Sequence, residues 1–458
     1  MQRIAKVTVL TALLLLLWSA LFASTFRYPF FWDDFHLIRP YSGTEISSAF
    51  HAVADSDKIE TPGLRPCSIF LYNFQGTLFG DNIVAQRLFV LVLMGIFMIA
   101  AGTLLLELGL NLLQLAIVFS LFVSSRVFAS LVLWVCLSHL IMAYIWIVLT
   151  ACFFVFWVKR SRWVFLLLML VTCTLATFTR EETYTLPVVL PLLWLIAFFD
   201  QSQWRRVLAA ALSVLAIVCA HYCLWHYFVP NALSPEFNLG AIKRFLAAMA
   251  AACLPCGSNW IGFTDTSIAI AWIMFLIALV AFFLLLARPH VRLQFLGVCC
   301  LGALLSAPAL GVARSFGIAL PTLAFMTAIS IAITEIYERA QSRNQFRGAI
   351  MIVVILCLAV GIVGGIHRSK YVAESVQENS AWRMVRDGKF LFDMFEYPPT
   401  IPPQRRAVGL ARLKAFGIQS ADDVKSLEKT LRQNRDQPKQ QPALPNGLTL
   451  AKYDYLSF

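Results

Sequence analysis

Long, nearly uncharged runs recur along the chain, close to residues 8–26, 87–108, 112–124, 138–158, 163–179, 184–199, 207–228, 268–287, 293–312, 316–335 and 348–366. Each is near the ~20 residues that carry a helix across ~30 Å of hydrocarbon, and none shows the ten-residue alternation of a membrane barrel. The pattern predicts an all-α polytopic membrane protein of about 11 transmembrane helices, with residues 124–138 as a partly inserted piece. The first run follows Arg3 and Lys6 and has Ala23 and Thr25 near a cleavage-like position. Its length, and the spans behind it, favour a retained first helix over a signal peptide.

Composition agrees, because 59% hydrophobic and 14% charged residues are too apolar for an ordinary soluble domain. A net charge of +12 would suit nucleic acid, but the Lys and Arg are dispersed between apolar runs rather than gathered on one basic face. With the N-terminus in the cytoplasm, Lys159, Arg160 and Arg162, then Arg205 and Arg206, Arg288 and Arg292, and Arg339, Arg343 and Arg347 all fall on the cytoplasmic side. That is the bias the positive-inside rule expects. Three segments are left outside: a long first periplasmic loop at 27–86, a second loop at 229–267, and the polar C-terminal region 367–458 beyond a transmembrane domain at 1–366. No repeat at a fixed period and no glycine-rich phosphate loop is present. The cysteines sit mostly inside apolar runs, where they act as small hydrophobes, with Cys253-Leu-Pro-Cys256 a close pair near a helix end.

The first loop opens on Trp32-Asp33-Asp34-Phe35-His36 and continues through His51, Asp55, Asp57, Glu60, Arg65 and Asp81 to Arg87. Arg126, Arg180 with Glu181 and Glu182, and Arg314 fall on shorter turns of the same face. An ionised residue at mid-membrane costs ~2.5–3.5 kcal/mol, so arginines placed repeatedly on the side the charge bias disfavours call for an anionic ligand there. A guanidinium grips two phosphate oxygens at once, and a carboxylate facing such a clamp suits removal of a proton from a hydroxyl nucleophile. Together they fit sugar transfer from a lipid phosphate, whose departure needs charge stabilisation more than protonation. The cytoplasmic loops are too short for a nucleotide-binding domain, so a donor used outside arrives on a lipid. Plainer readings stand beside this one. The acidic pair is then solvated loop charge, Trp32 an interfacial anchor, and Arg180 with Glu181 a weak local ion pair. His36 and His51 match no zinc spacing, His139, His221 and His226 are satisfied within the bundle, and Glu107 marks a cytoplasmic helix end.

Three stretches carry a family likeness: Trp32-Asp33-Asp34 after a first helix, Leu64-Arg65-Pro66 with Tyr72, Gly80, Asp81 and Arg87 before the second, and Thr179-Arg180-Glu181-Glu182 before Pro187 and Pro191. Together they resemble the GT-C superfamily of glycosyltransferases, in particular the branch of protein O-mannosyltransferases and the lipid A aminoarabinose transferase. The likeness covers residues 1–200 and, loosely through Arg314 and Pro321, 290–335. It implies a GT-C-like bundle in the bacterial inner membrane. The implied activity is inverting transfer of a hexosyl or pentosyl group from a polyprenyl-phosphate carrier to a periplasmic glycan, lipid or protein acceptor. By the same likeness Asp33 is the base, with Asp34 its alternative. Arg65, Arg87, Arg180 and either Arg126 or Arg314 would hold the donor phosphate, supported by Glu181, His36 and Tyr72. No ligand set in the sequence requires a metal, though the resemblance admits a divalent ion. The competing classes are a lipid-linked-sugar flippase or transporter, and an acyltransferase with His36 or His51 as base.

Overall fold

The computed structural model describes residues 2–27, 34–51, 63–197, 200–228, 279–306 and 318–342, with isolated positions elsewhere. Asp33, Arg314, Cys253, Cys256, the 229–267 loop and nearly all of 367–458 lie outside the described residues. Helix α1 (Gln2–Leu21) leads through a turn at Ala23–Arg27 to three helices of the first loop, α2 (Asp34–Leu37), α3 (Gly43–Ala49) and α4 (Pro66–Phe79). Next come α5 (Ile83–Glu107), α6 (Leu112–Ser124), α7 (Arg126–Leu133), α8 (Ser138–Arg160), α9 (Trp163–Thr177) and α10 (Leu186–Ala197). Helices α11 (Trp204–Phe228), α12 (Pro289–Leu305) and α13 (Ala319–Ser342) follow, and residues 279–285 are also helical. Among the described residues there is no strand.

Among the described residues, five helices are long and apolar enough to cross a membrane, within α1, α5, Val135–Arg160, α11 and Ala319–Arg339, and α6 with α7 raises this to six if the bent pair is one span. The chain is thus a helical membrane protein. Of the further runs, α9 and α12 are shorter apolar helices, 268–287 is helical over 279–285, and 348–366 falls largely outside the described residues. The α6–α7 pair bends by 59° where the sequence predicts a partly inserted piece. Ser125 makes the break tolerable: its hydroxyl accepts from Phe128 N–H at 3.3 Å and so caps α7. Ser369 Oγ donates to the carbonyls of Ser124 and Ser125 at 2.9 and 3.2 Å, giving partners to backbone groups that lipid cannot satisfy.

The two ends of the bundle differ. At one, Lys159 Nζ lies 2.6 Å from Glu107 O, Arg206 donates to Val158 O, and Arg288 pairs with Glu335 and Glu338. These are the cationic clusters that the sequence places together. On α11, a rise of ~1.5 Å per residue sets Trp204 about 32 Å from Trp225, close to the thickness of a bilayer's hydrocarbon. Between the ends, Phe97, Phe119, Phe122, Phe128, Trp134, Tyr144 and Phe154 form a fully buried core. Gly102 admits α1 and α6 to that core, since a Cβ there would come within 2.6 Å of Val7 Cγ1 and 3.1 Å of Phe119 Cζ.

Candidate functional site

The end opposite the cationic clusters gathers the polar residues. Asp34, fully buried at the start of α2, accepts from Cys136 N–H at 2.6 Å and ties the first loop to the turn before α8. The Cys136 carbonyl accepts from Tyr72 Oη at 3.0 Å. His139, on the first turn of α8, has Nδ1 2.6 Å from that carbonyl and 2.6 Å from Tyr72 Oη. Its Nε2 faces Arg180 Nη1 at 3.0 Å. Because a guanidinium only donates, Nε2 accepts and the ring proton is assigned to Nδ1, giving a neutral imidazole.

Two ion pairs lie beside this group. Arg65 Nε donates to both Glu181 oxygens at 2.9 and 3.1 Å, and Arg180 grips Glu182 through Nε and Nη2 at 3.0 to 3.3 Å. Burial works to raise the Glu181 pKa, but the Arg65 charge and hydrogen bonds, with help from Arg180, outweigh it and hold the carboxyl at about 2. Charge-assisted pairing of this kind fixes both partners in the ionised state. Further bonds stitch the segments together: Cys67 N–H donates to Phe178 O and Ser68 Oγ to Thr179 O. His221 donates through Nε2 to Leu64 O at 2.9 Å, while its Nδ1 accepts from Tyr184 Oη at 2.7 Å.

Of the residues expected from sequence, Asp34, Arg65, Tyr72, Arg180 and Glu181 are brought together. Arg87 is buried near the start of α5 and donates to Thr25 O at 2.7 Å, which fastens α5 to the end of α1. Arg126 is buried as the first residue of α7. For His36 only the backbone, within α2, is described. The local pairing of Arg180 with Glu181 does not form. Arg180 has extended backbone (φ −158°, ψ 151°), and the tight turn that follows turns Glu181 toward Arg65 and Glu182 toward Arg180. His139, Tyr184 and His221 join the site unforeseen. Their one sequence signal is position, near the predicted outer ends of spans. Among the described residues no group of three or more His, Cys, Asp or Glu is arranged to hold a metal.

An apolar cavity of about 140 Å³ runs inward between α5, α6, α8, α10, α12 and α13. Leu186, directly after the Glu181–Thr185 turn, lines it along with Leu320, and Leu108 lines it nearer the cationic end. Its polar lining is confined to Gln114, Gln294 and Thr327. No family model, curated protein or solved structure matches the chain. Fold and site together define a helical membrane protein whose charge-paired polar site sits at one end of its bundle.

Proposed function

We propose that the chain is an inverting glycosyltransferase of the inner membrane, moving a sugar from a polyprenyl-phosphate carrier to a glycan, lipid A or protein acceptor on the periplasmic side. One juxtaposition carries the reading: two guanidinium–carboxylate pairs, Arg65 with Glu181 and Arg180 with Glu182, stand one turn beyond an apolar cavity. A prenyl phosphate is the ligand that wants both, a cation at its head and a dry channel for its tail. Each glutamate holds its arginine in a fixed orientation, and a guanidinium's planar fork of N–H donors matches the oxygens of a phosphate. Asp34 is buried and anchors the loop by accepting from Cys136 N–H, and this supports assigning the base to its neighbour Asp33. Arg87, bonded to Thr25 O, then acts by positioning α5, and Arg126 and Arg314 stay as secondary candidates for the phosphate.

Mass spectrometry of surface glycans, lipid A and surface proteins tests the proposal in a strain lacking the chain, complemented with wild type or Asp33→Asn. The expected result is one sugar missing and restored only by wild type; full restoration by Asp33→Asn removes the assigned base.

One observation favours a second reading, a lipid-linked-sugar flippase or transporter. Transporters use discontinuous helices whose half-helix N-termini face a substrate, and the α6–α7 break presents such a terminus at Ser125 and Arg126. Under that reading purified protein moves the lipid across a vesicle bilayer and transfers no sugar.

A further inference from the structure

Helix α4 belongs to a segment that hydropathy assigns to a loop, yet its surroundings are those of a membrane element. Its N-terminal turn bonds to Phe178 and Thr179 at the end of α9, Tyr72 in its middle reaches Cys136 and His139 at the start of α8, and Gln75 near its end bonds to Gln86 at the start of α5. Three helix ends on one face of the bundle mark a plane, and α4 touches them in succession along its ~21 Å length. Its axis therefore runs across the mouths of the spans.

Two sides of α4 are covered. Ser68, Ile69, Tyr72 and Gln75 are buried toward the spans. On another side Gly76 meets the backbone of Arg39, and Asn73 Oδ1 accepts from Tyr41 N–H at 2.8 Å. Phe70, Phe74 and Leu78, spaced four apart and so on one helical stripe, are left 47%, 49% and 59% exposed. The stripe does not end at α4. Phe74 and Phe79 both pack on Phe89 of α5, with ring centroids 5.7 and 5.5 Å apart. From there the exposed row Leu88, Val92 and Ile96 continues down α5, a helix with the length and composition of a span.

We infer that α4 is an interfacial helix whose Phe70–Phe74–Leu78 stripe lies in the acyl and headgroup boundary of the bilayer, as an outward continuation of the lipid-facing surface of α5. Aromatic side chains are the usual occupants of that boundary, and an amphipathic helix in its plane buries its apolar side in lipid. The seating fixes Arg65, at the N-terminus of α4, at headgroup depth. This inference rests on the membrane class of the fold and stands whatever chemistry the site performs.

The test places benzoylphenylalanine singly at Phe70, Phe74 and Leu78 in full-length protein, reconstituted in nanodiscs of phosphatidylethanolamine and phosphatidylglycerol and irradiated. Lipid adducts are expected at all three positions at a level similar to a probe at Val92, and several-fold above one at Thr44 on α3. Yields no greater than at Thr44, or cross-links to a second copy in place of lipid, overturn the inference. The unaltered chain supplies an independent check by hydroxyl-radical oxidation in the same nanodiscs. Oxidation of Phe70 and Phe74 close to that of buried Phe97 agrees with lipid cover, and oxidation several-fold higher contradicts it.

Discussion

Asp34 and Glu181 show how a carboxylate's neighbours decide what it does. Asp34 has exchanged water for a backbone donor, and removing its side chain leaves the buried Cys136 N–H without that acceptor. Asp34→Ala is expected to cost about 1–3 kcal/mol, and Asp34→Asn less because its carbonyl oxygen still accepts; thermal unfolding in detergent measures both. Glu181 follows a different rule. Its pKa falls from 4.5 in the unfolded chain to about 2 in the fold, so the stability it contributes is complete above pH 4.5 and is lost as pH falls toward 2. That contribution is at most about 3 kcal/mol, a ceiling because the pair with Arg65 is about one-fifth exposed and partly screened. Thermal stability of the wild type should therefore drop between pH 4.5 and 2, and Glu181→Gln should flatten the profile across that window. The arginines were legible in sequence because charge on the disfavoured side of a membrane needs a reason. His139 and His221 were not, since a histidine inside an apolar run gives no sign of its partners, and Tyr72, Arg180, Leu64 and Tyr184 all lie far away in sequence.

Among elements, α4 is where sequence and structure differ most. Hydropathy detects helices long enough to span, and a 14-residue helix bearing Gln75, Gly76 and Asn73 falls below that threshold, so the segment reads as loop. Packing gives it order. Gly76 lies against the Arg39 backbone, and a methyl group there would collide with main chain that cannot swing aside. Helix propensity alone favours Ala over Gly by about 1 kcal/mol, whereas overpacking against backbone costs about 1–3 kcal/mol or more. The collision should win, so Gly76→Ala is expected to lower the unfolding temperature and the yield of monodisperse protein. A rise in stability would mean that α4 is free to move off the Arg39 segment. The α6–α7 bend was more legible, because Ser124-Ser125-Arg126 interrupts an apolar run with capping and charged residues.

For the whole molecule, the dispersed cations foretold an asymmetric bundle, and the contacts separate two chemically distinct ends. One end holds Lys159 against Glu107 and Arg288 against Glu335; the other holds Arg65, Arg180, Asp34 and His139. Of the eleven runs that hydropathy marks, five or six are helices of spanning length among the described residues, and their mutual packing depends on side-chain shape at places such as Gly102 and Val7. The apolar cavity beneath the ion pairs arises only once six helices are assembled, and no local pattern announces it. The central claim is that these arginines serve a lipid-phosphate sugar donor. The most direct test incubates detergent-solubilised protein, which offers a transporter no two compartments to connect, with membrane extract from a strain lacking the chain, and follows polyprenyl-phosphate sugars by mass spectrometry. Wild type should convert a sugar-bearing carrier to free polyprenyl phosphate with the same sugar mass gained by an acceptor, and Arg180→Ala should slow this at least tenfold. No conversion by wild type, or equal conversion by Arg180→Ala, would contradict the account.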